Sequence, residues 1–509
     1  MPARSRAVAN RHGEAPAGAP RRFGYPLAPT ALHGTRMPDA DVPLCVDLDG
    51  TLIHSDLTVE SILALLRRNP LYLFLIPLWL FGGWARCKRE VARRVRLDVA
   101  LLPYDDRVVD WVRGQAGVCP RVLCTASDQI FADAVAAHLG CFEEALGSDG
   151  VRNLGGRGKA AVLCERFGDR GFDYAGNAQV DLHVWRRARQ VVVVNAPAGL
   201  AGRVRSELEV AREFPRARAG WRTWLAALRP HQWLKNVLVF VPVLAAHAVF
   251  EDAAAVHALL AFVAFSLCAS AAYVFNDLLD LDADRRHPRK RRRPFASGAL
   301  PLRGGLLASV LCGLAAFALA SALSAGFVGM LLVYAVLTLA YSLVLKRIAM
   351  LDVVTLAGLY TLRMLGGAVA VPVPASSWLL AFSMFLFLSL AMVKRHAELR
   401  TLAASGASAL AGRGYVADDL PLVRSLGTAS GYLSVLVFAL YINSAASLAL
   451  YARPAVLWLL APLLLYWISR VWLLAGRGAM HDDPVVFALT DRVSLVVLAL
   501  FALVVWMAI

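Results

Sequence analysis

The sequence predicts a multi-domain protein, in which an N-terminal α/β domain with a Rossmann-type parallel sheet precedes a C-terminal all-α bundle of nine transmembrane helices. Two patterns predict this fold class. In the first part of the chain, short apolar runs such as VPLCVDL and QVVVVNA alternate with amphipathic stretches, as in a sheet covered by helices. From residue 236 onward, the apolar segments are long enough to cross a bilayer. The composition agrees, because 58% hydrophobic and 18% charged residues exclude a single soluble globule.

The same patterns predict the domain boundaries. Residues 1–40 are rich in Arg, Ala and Pro and predict a disordered tail, within which Met37 is an alternative start. The α/β domain is assigned to 41–200, and 201–234 to a connector that ends in an interfacial helix rich in Trp and Arg. Residues 235–509 form the bundle. Its nine predicted spans lie at 236–250, 254–274, 305–323, 326–345, 351–371, 377–393, 428–449, 455–474 and 489–508.

The distribution of charge predicts the orientation in the membrane. Lys and Arg number 53 against 37 Asp and Glu, which gives a net charge of +16. Basic runs such as RRHPRKRRR fall in alternate loops between the predicted spans. By the positive-inside rule, the N-terminal domain and the basic loops are cytoplasmic, in an inner-membrane protein. Because topology already explains the basic surplus, nucleic acid is not expected as a partner. The eight cysteines form no C-x-x-C pair and predict free thiols in a reducing compartment.

One segment of the α/β domain is unusually apolar. Leu71–Gly83 is as hydrophobic as a membrane span but falls short of the roughly 20 residues that a crossing needs. It fits either a buried helix or a hairpin that dips into one leaflet. The basic flanks, which include Arg67, Arg68 and Arg86, favour the interfacial alternative, because cations hold such a segment against anionic head groups.

Two carboxylates follow the first predicted strand, in the string Asp47-Leu48-Asp49-Gly50-Thr51. At this spacing one carboxylate can attack a phosphorus in line while the other handles the proton of the leaving group. A Mg²⁺ ion between Asp47 and Asp49 would screen the repulsion between an anionic nucleophile and a phosphoryl group.

The DxDGT string after a strand resembles the haloacid-dehalogenase (HAD)-like phosphatase superfamily, and the resemblance covers about 41–200. It implies that Thr125 and Ser127 bind phosphoryl oxygens, that Lys159 neutralises nucleophile and phosphate, and that Asp181 is a further metal ligand. Asn177 departs from the pattern, since the family often has another Asp there, and this predicts weaker Mg²⁺ binding and a slow or degenerate phosphatase. The insert near 56–104 matches a substrate-selecting cap, and its apolar character suggests a lipid-linked phosphate.

A second acidic string comes at the cytoplasmic end of the second predicted span. Spacings of three and four place Asp277, Asp280 and Asp284 on one helical face, whereas Asp282 points elsewhere. Three like charges at membrane depth predict a compensating cation. Mg²⁺ that bridges these acids to a diphosphate would supply it, although a solvated helix end is the simpler alternative.

The full string NDxxDxxxD, which begins at Asn276, resembles the UbiA superfamily of intramembrane transferases over about 229–509. Ordinary members move a prenyl group from a prenyl diphosphate to an aromatic acceptor and carry a second Asp pair two spans later. Here the second site holds Tyr341, Lys346 and Asp352, a lysine with one acid. A lysine stabilises an anionic phosphate and does nothing useful for a neutral phenol.

This variant resembles the decaprenyl-phosphate phosphoribosyltransferase branch, as do the strings RPHQWLKN, HPRKRRRPFASG and RGAMHDDPVVFALTDR. The resemblance implies phosphoribosyl pyrophosphate as donor and a polyprenyl phosphate as acceptor. Mg²⁺ on the three acids would activate the pyrophosphate, and Lys346 would hold phosphate oxygens. Asp352 is either a metal ligand or a ribose-hydroxyl ligand. Weaker candidates for phosphate binding or support of the site are Lys235, Arg291, Arg293 and the His481-Asp482-Asp483 cluster.

The sequence therefore predicts a two-step enzyme of the cell envelope, in which a membrane transferase makes a phosphoribosylated lipid and the fused domain removes the 5-phosphate. Two alternatives stay open. One is a prenyl-diphosphate:aromatic prenyltransferase of the same fold. The other is a lipid-phosphate carrier with a regulatory soluble domain, against which all the intramembrane acids lie at one cytoplasmic mouth.

Overall fold

A computed structural model describes residues 42–216, 219–248, 252–374, 376–404, 413–480 and 484–509. The predicted tail, with the alternative start at Met37, and the His481-Asp482-Asp483 cluster lie outside the described residues.

The N-terminal domain is built on a six-stranded sheet in which every paired strand is parallel. The strands are β1 (Leu44–Val46), β2 (Arg121–Asp128), β3 (Glu144–Ser148), β4 (Asp173–Gly176), β5 (Val191–Val194) and β6 (Val210–Phe214). Their order is β3-β2-β1-β4-β5-β6, so the order reverses between β1 and β4. Parallel strands buried on both faces read as continuous apolar runs, and all four residues of β5 are buried valines. The prediction of a parallel α/β sheet is confirmed.

Eight helices surround the sheet. They are α1 (Leu57–Arg68), α2 (Tyr72–Phe81), α3 (Trp84–Ala92), α4 (Asp106–Gly114), α5 (Gln129–Leu139), α6 (Gly156–Phe167), α7 (Leu182–Trp185) and α8 (Ala198–Glu207). Short 3-10 helices lie at Val99–Leu101 and Gln179–Asp181. Helix α8 and strand β6 extend the α/β unit to Phe214, into the segment predicted to be a connector.

Helix α2 corresponds to the apolar segment of the insert. It has ten residues, about 15 Å of helix, which is half of what a crossing requires. None of its residues is buried, and Phe74, Leu78 and Phe81 are strongly exposed. A buried helix is therefore excluded, and the interfacial alternative stays a prediction.

The remainder of the chain is helical. Its helices are α9 (Trp221–Leu228), α10 (Val241–Ala245), α11 (Asp252–Leu279), α12 (Leu281–Arg286), α13 (Leu302–Ser321), α14 (Ala325–Leu343), α15 (Leu351–Ala370), α16 (Ser377–Ala404), α17 (Leu420–Ile442), α18 (Ala445–Leu450), α19 (Leu460–Arg477), α20 (Pro484–Thr490) and α21 (Arg492–Ala508). Short 3-10 helices lie at Pro230–Phe240, Lys290–Arg292, Leu345–Arg347, Ala417–Asp419 and Pro454–Leu459. Helix α11 packs on α13, and α16 packs on α15 and α17.

The count of nine spans is not confirmed. Among the described residues, seven helices are long and apolar enough to cross a membrane, and the pair α20 and α21, bent by 73°, gives an eighth if it is one span. The predicted span at 236–250 instead holds the end of a 3-10 helix and the five residues of α10. Hydropathy measures apolar content but not helix type, and Pro242 has no N–H to continue regular helical bonding through this segment.

The two domains are docked through α1. Leu63 of α1 belongs to the same buried apolar cluster as Leu278 of α11 and Leu281 of α12. Beside this cluster, Glu60 of α1 and Arg285 of α12 form a bidentate ion pair with N···O distances of 2.6 and 2.9 Å. Both side chains are at least 95% buried. A buried pair of this kind fixes register, since either charge left alone would be costly.

A second contact fixes the loop that precedes α13. Gly298 has φ +74° and lies so close to the N-terminal domain that an added Cβ would come within 2.5 Å of His54 Cβ. Only glycine adopts this backbone conformation without strain and also permits this approach.

Candidate functional site

The DxDGT loop lies where the order of the strands reverses. Asp47 follows β1 directly, and its backbone N–H donates to the carbonyl of Ala175 in the neighbouring β4. Ligands of open α/β sheets bind at such a switch point, beyond the carboxyl ends of the strands. Gly50 has φ +78°, and the side chain of Asn177 occupies the place that a Cβ would need.

Lys159 lies against the first carboxylate. Its Nζ, which is buried, is 2.6 Å from Asp47 Oδ1 and donates to the Tyr174 hydroxyl at 2.8 Å. Tyr174 in turn donates to Asp181 Oδ1 at 2.8 Å. Burial raises the pKa of Asp47 to about 6, against the opposing effect of Lys159. Although burial acts to lower it, Asp47 and Asp181 hold the pKa of Lys159 above its ordinary value. Lys159 therefore stays charged beside the predicted nucleophile.

Asp49 lies among donors. Ser127 Oγ donates to its Oδ2 at 2.8 Å, Thr125 Oγ1 donates to the same atom at 3.3 Å, and the backbone N–H of Leu57 donates to Oδ1 at 2.7 Å. Loss of solvent, together with the carboxylates of Asp56 and Asp47, raises the pKa of Asp49 to about 7. A carboxyl group whose pKa is near 7 can both give and take a proton at neutral pH, as an acid–base residue must.

The oxygen atoms around Asp47 and Asp49 decide whether a metal ion could bind at this site. Among the described residues, no group of three His, Cys, Asp or Glu side chains is arranged to hold one. Asp181 has both oxygens engaged, because Oδ2 accepts the N–H groups of Asn177 and Ala178 at 3.0 and 2.9 Å. However, Asn177 Oδ1 is buried with no hydrogen-bond partner among the described residues. Two carboxylates and this amide oxygen are a hard donor set that suits Mg²⁺, and Asn177 is thus a candidate neutral ligand.

The cleft above this site is formed by both domains. It has a volume of about 1280 Å³ and contains Asp47, Asp49 and Lys159. It is also lined by Gly298 from the loop before α13 and by Arg303 from the first turn of α13. A substrate in this cleft would therefore contact the helical domain as well as the α/β domain.

The acids of the NDxxDxxxD string lie at the end of α11 and in α12, where arginines cover two of them. Arg229 Nη2 is 2.5 and 2.7 Å from the oxygens of Asp277. Arg293 Nη1 is 3.1 Å from Asp277 and 2.7 Å from Asp284, so one nitrogen joins the two carboxylates. Asp277 and Asp284 are both at least 97% buried. Their paired cations satisfy the expectation that buried acids need compensation.

Asp280 faces a different set of cations. Lys346 Nζ lies 3.2 Å from its Oδ2, and Arg67 Nη2 lies 3.3 Å from its Oδ1. Asn276 Nδ2 donates to Oδ2 at 3.1 Å. Lys346 therefore lies next to the acidic string. Arg67 belongs to the N-terminal domain, and the sequence predicted it only as a basic flank of the apolar segment Leu71–Gly83.

Asp352 and Tyr341 form a separate cluster. Tyr415 donates to Asp352 Oδ1 at 2.6 Å, and Arg395 Nε lies 2.7 Å from Oδ2. Arg413 lies 3.6 Å from Asp352 and donates to the Tyr341 hydroxyl at 2.9 Å. Asp352 is fully buried among these cations, and its assignment as a metal or ribose ligand stays a prediction.

The structure separates the other predicted cations. Arg293 joins two acids, whereas Arg291 of the same run is exposed. Lys235 is buried in the 3-10 helix Pro230–Phe240. Sequence reasoning missed Arg363, which donates to Asn236 Oδ1 at 2.7 Å and to the Tyr334 hydroxyl at 2.8 Å inside the bundle. A lone arginine within an apolar span was the available signal.

The helical site places carboxylates beside arginines and a lysine that pair with them. Carboxylate oxygens are the ligands that Mg²⁺ prefers, and guanidinium groups bind phosphate oxygens in a bidentate manner. Together, the fold and this site define a class, the multi-pass membrane proteins with an acidic site at the mouth of a helical bundle. More particularly, the chain belongs to the UbiA prenyltransferase family, which matches residues 237–490.

The chain is similar in sequence to three curated relatives. The uncharacterized protein y4nM of Sinorhizobium fredii is 38% identical over 91% of this chain and 90% of its own length. Nodulation protein NoeC of Azorhizobium caulinodans is 38% identical over 55% of this chain and 91% of its length. Decaprenyl-phosphate phosphoribosyltransferase of Mycobacterium tuberculosis is 39% identical over 36% of this chain, and the match spans 62% of that enzyme.

Among solved structures, a UbiA homolog from Archaeoglobus fulgidus bound to GPP and Mg²⁺ is similar to the helical domain. It has a TM-score of 0.44 and 17% sequence identity, over 56% of this chain and 99% of that chain. The N-terminal domain, with its parallel sheet, is consistent with a HAD-like fold.

Proposed function

We propose that the helical domain transfers a 5-phosphoribosyl group from phosphoribosyl pyrophosphate to a polyprenyl phosphate. The observation that carries the proposal is Lys346 at 3.2 Å from Asp280, which places a phosphate-binding cation next to the acidic string. Similarity to the mycobacterial phosphoribosyltransferase supports the same choice of substrates. Topology follows the charges, with the N-terminal domain on the cytoplasmic side of the inner membrane.

In this proposal Asp277, Asp280 and Asp284 would hold Mg²⁺, whose charge would stabilise pyrophosphate as a leaving group. Arg229 and Arg293 bind pyrophosphate oxygens, since they already lie at the acids that the metal would share. An oxygen of the lipid phosphate attacks the anomeric carbon of the ribose. The bond from that carbon to pyrophosphate breaks as the new C–O bond forms, and the buried cations stabilise the charge of the leaving group.

The N-terminal domain would then remove the 5-phosphate of the product. Asp47 attacks the phosphorus, and Asp49 protonates the ribose oxygen as the P–O bond breaks. Water, deprotonated by Asp49, then releases inorganic phosphate from Asp47. Lys159, at 2.6 Å from Asp47, holds the phosphoryl charge, and Thr125 and Ser127 orient Asp49 and the phosphoryl oxygens. The raised pKa of Asp49, to about 7, suits this double role.

The test uses purified full-length protein in detergent with Mg²⁺, a polyprenyl phosphate and ribose-labelled phosphoribosyl pyrophosphate. We expect a labelled lipid and released pyrophosphate, and Asp277→Asn should abolish both. No labelled lipid from the wild type would refute the transfer. Asp47→Asn should leave transfer intact and cause the 5-phosphorylated lipid to accumulate, and an unchanged product would refute the phosphatase step alone.

A second candidate is prenyl transfer to an aromatic acceptor, because the chain belongs to a family of prenyltransferases. The same assay separates the two, because a prenyltransferase would consume a prenyl diphosphate and leave phosphoribosyl pyrophosphate intact.

A further inference from the structure

Helix α1 of the N-terminal domain reaches both candidate sites. At its first turn, the N–H of Leu57 donates to Asp49 Oδ1 at 2.7 Å, and Asp56 caps the helix through the N–H of Val59 at 3.1 Å. In its last turn, Arg67 Nη2 lies 3.3 Å from Asp280 Oδ1, in the acidic string of the helical domain. From Leu57 to Arg67 the helix rises about 15 Å. One rigid element therefore touches an acid of each site.

The position of Arg67 is fixed by the packing of α1 on the helical domain. Leu63, one turn earlier, is buried with Leu278 and Leu281, and Glu60 is held by Arg285. The carbonyl of Arg67 also accepts from Arg347 Nη2 at 3.5 Å, beside Lys346. The packing of α1 and the hydrogen bond to the Arg67 carbonyl therefore fix the backbone of Arg67 close to Asp280.

The neighbouring residue gives a matched contrast. Arg68 Nη1 donates to the carbonyl of Arg94 at 3.0 Å, within the N-terminal domain. Two adjacent arginines of one helix therefore have different partners, and only Arg67 contacts the acidic string. Arg67 also borders a cavity of about 1110 Å³ between the domains, which Arg68, Asp282 and Arg347 line as well.

We propose that Arg67 is a diphosphate-binding residue of the transferase site, so that this site is incomplete without the N-terminal domain. The inference rests on the proposed function for the identity of the donor but not for the diphosphate, which a prenyl donor shares. When a diphosphate occupies the site, Arg67 and Lys346 hold its oxygens from opposite sides of Asp280. The guanidinium fork suits two oxygens of one phosphate group.

The test measures binding of inorganic pyrophosphate in the presence of Mg²⁺ to the full-length protein in detergent, by titration calorimetry. Arg67→Ala should weaken the affinity about tenfold, as expected for loss of a charge-assisted hydrogen bond. Arg68→Ala should leave it unchanged, and Arg67→Lys should restore part of it. Equal affinities for Arg67→Ala and Arg68→Ala would overturn the inference.

The activity assay keeps this result apart from the proposed function. With phosphoribosyl pyrophosphate, Arg67→Ala should raise KM about tenfold and change kcat less, a split that simple loss of fold would not give. Wild-type protein that binds pyrophosphate through Arg67 but makes no labelled lipid would refute the donor and uphold Arg67. If Arg67→Ala does not fold, Arg67→Gln keeps the side-chain stem and removes the charge, and the same comparison with Arg68→Ala then decides.

Discussion

At the scale of single residues, the contacts of Asp49 show a conflict between stability and function. Hydroxyls of Thr125 and Ser127 and the N–H of Leu57 hold its carboxylate in place, yet its pKa is raised to about 7. A carboxyl group whose pKa is raised by folding destabilises the folded state wherever it must be ionised. In the proposed phosphatase step, this raised pKa would let Asp49 act as the proton donor.

Asp49→Asn should therefore stabilise the metal-free protein at high pH. At pH 8 the Asp49 carboxyl is ionised in the folded state, so its charge lowers the free energy of unfolding by the full amount. Allowing for partial solvent exposure, the variant should be about 1–2 kcal/mol more stable, which raises Tm by about 2–4 °C. At pH 5 the wild-type group is protonated when folded, so the gain should shrink by more than half. Thermal unfolding at the two pH values measures this, with the exposed Asp110→Asn as control. A gain that is independent of pH would contradict the explanation.

Arg293 and Arg291 provide a second prediction at this scale. Arg293 joins Asp277 to Asp284, whereas Arg291 is exposed two residues earlier in the same basic run. Arg293→Ala should lower the rate of lipid labelling at least about 100-fold, since it removes a preorganised cation from two buried acids. Arg291→Ala should lower it less than about twofold. Similar losses in both variants would show that the run acts only through net charge.

At the scale of elements, the interface of α1 depends on one buried ion pair. Glu60 and Arg285 are both nearly inaccessible, so removal of one partner leaves a buried charge without compensation.

Glu60→Gln should destabilise the protein by about 3–5 kcal/mol. The double variant Glu60→Leu with Arg285→Leu should recover most of this, because no charge is then left unpaired. Denaturant unfolding of the two variants in detergent measures the difference. If the double variant is as unstable as the single one, an unpaired buried charge is not the cause of the destabilisation.

At the scale of the whole molecule, both candidate sites lie where the N-terminal and helical domains contact each other. The cleft at Asp47 is lined in part by Gly298 of the helical domain, and Arg67 of the N-terminal domain contacts the acidic string. Each domain thus contributes residues next to the candidate site of the other, so disturbance of the docking should affect both proposed reactions.

Gly298→Val should separate the domains, since its Cβ would meet His54 and its φ of +74° is strained for valine. We expect faster limited proteolysis between the domains and weaker pyrophosphate binding. Gly329→Val is the control, because nothing lies within 4 Å of a Cβ at that position of α14. Equal proteolysis of both variants would mean that the loop does not hold the domains together.

A contact could be predicted from the sequence where a local motif specifies it, and could not where it depends on how distant parts of the chain pack. Asp47, Thr125 and Ser127 come together because the carboxyl ends of parallel strands meet at one edge of the sheet, and the motifs mark those ends. Lys159 reaches Asp47 from the first turn of helix α6. The contact of Arg67 with Asp280 has no local signature, since it depends on how two domains dock. The 3-10 helix Pro230–Phe240 was likewise missed, because apolar content alone does not specify helix type.

The length of helix α1 also sets the distance between its contacts with the two sites. Each residue of an α-helix adds about 1.5 Å and about 100° of rotation, so a single insertion after Glu60 would turn Arg67 away from Asp280 and leave Leu57 at Asp49. Substitutions along the exposed face of α1 would be harmless by comparison. The number of residues between the two sites is therefore a property of the enzyme in its own right, and relatives with the same two domains should preserve that spacing even where the side chains between differ.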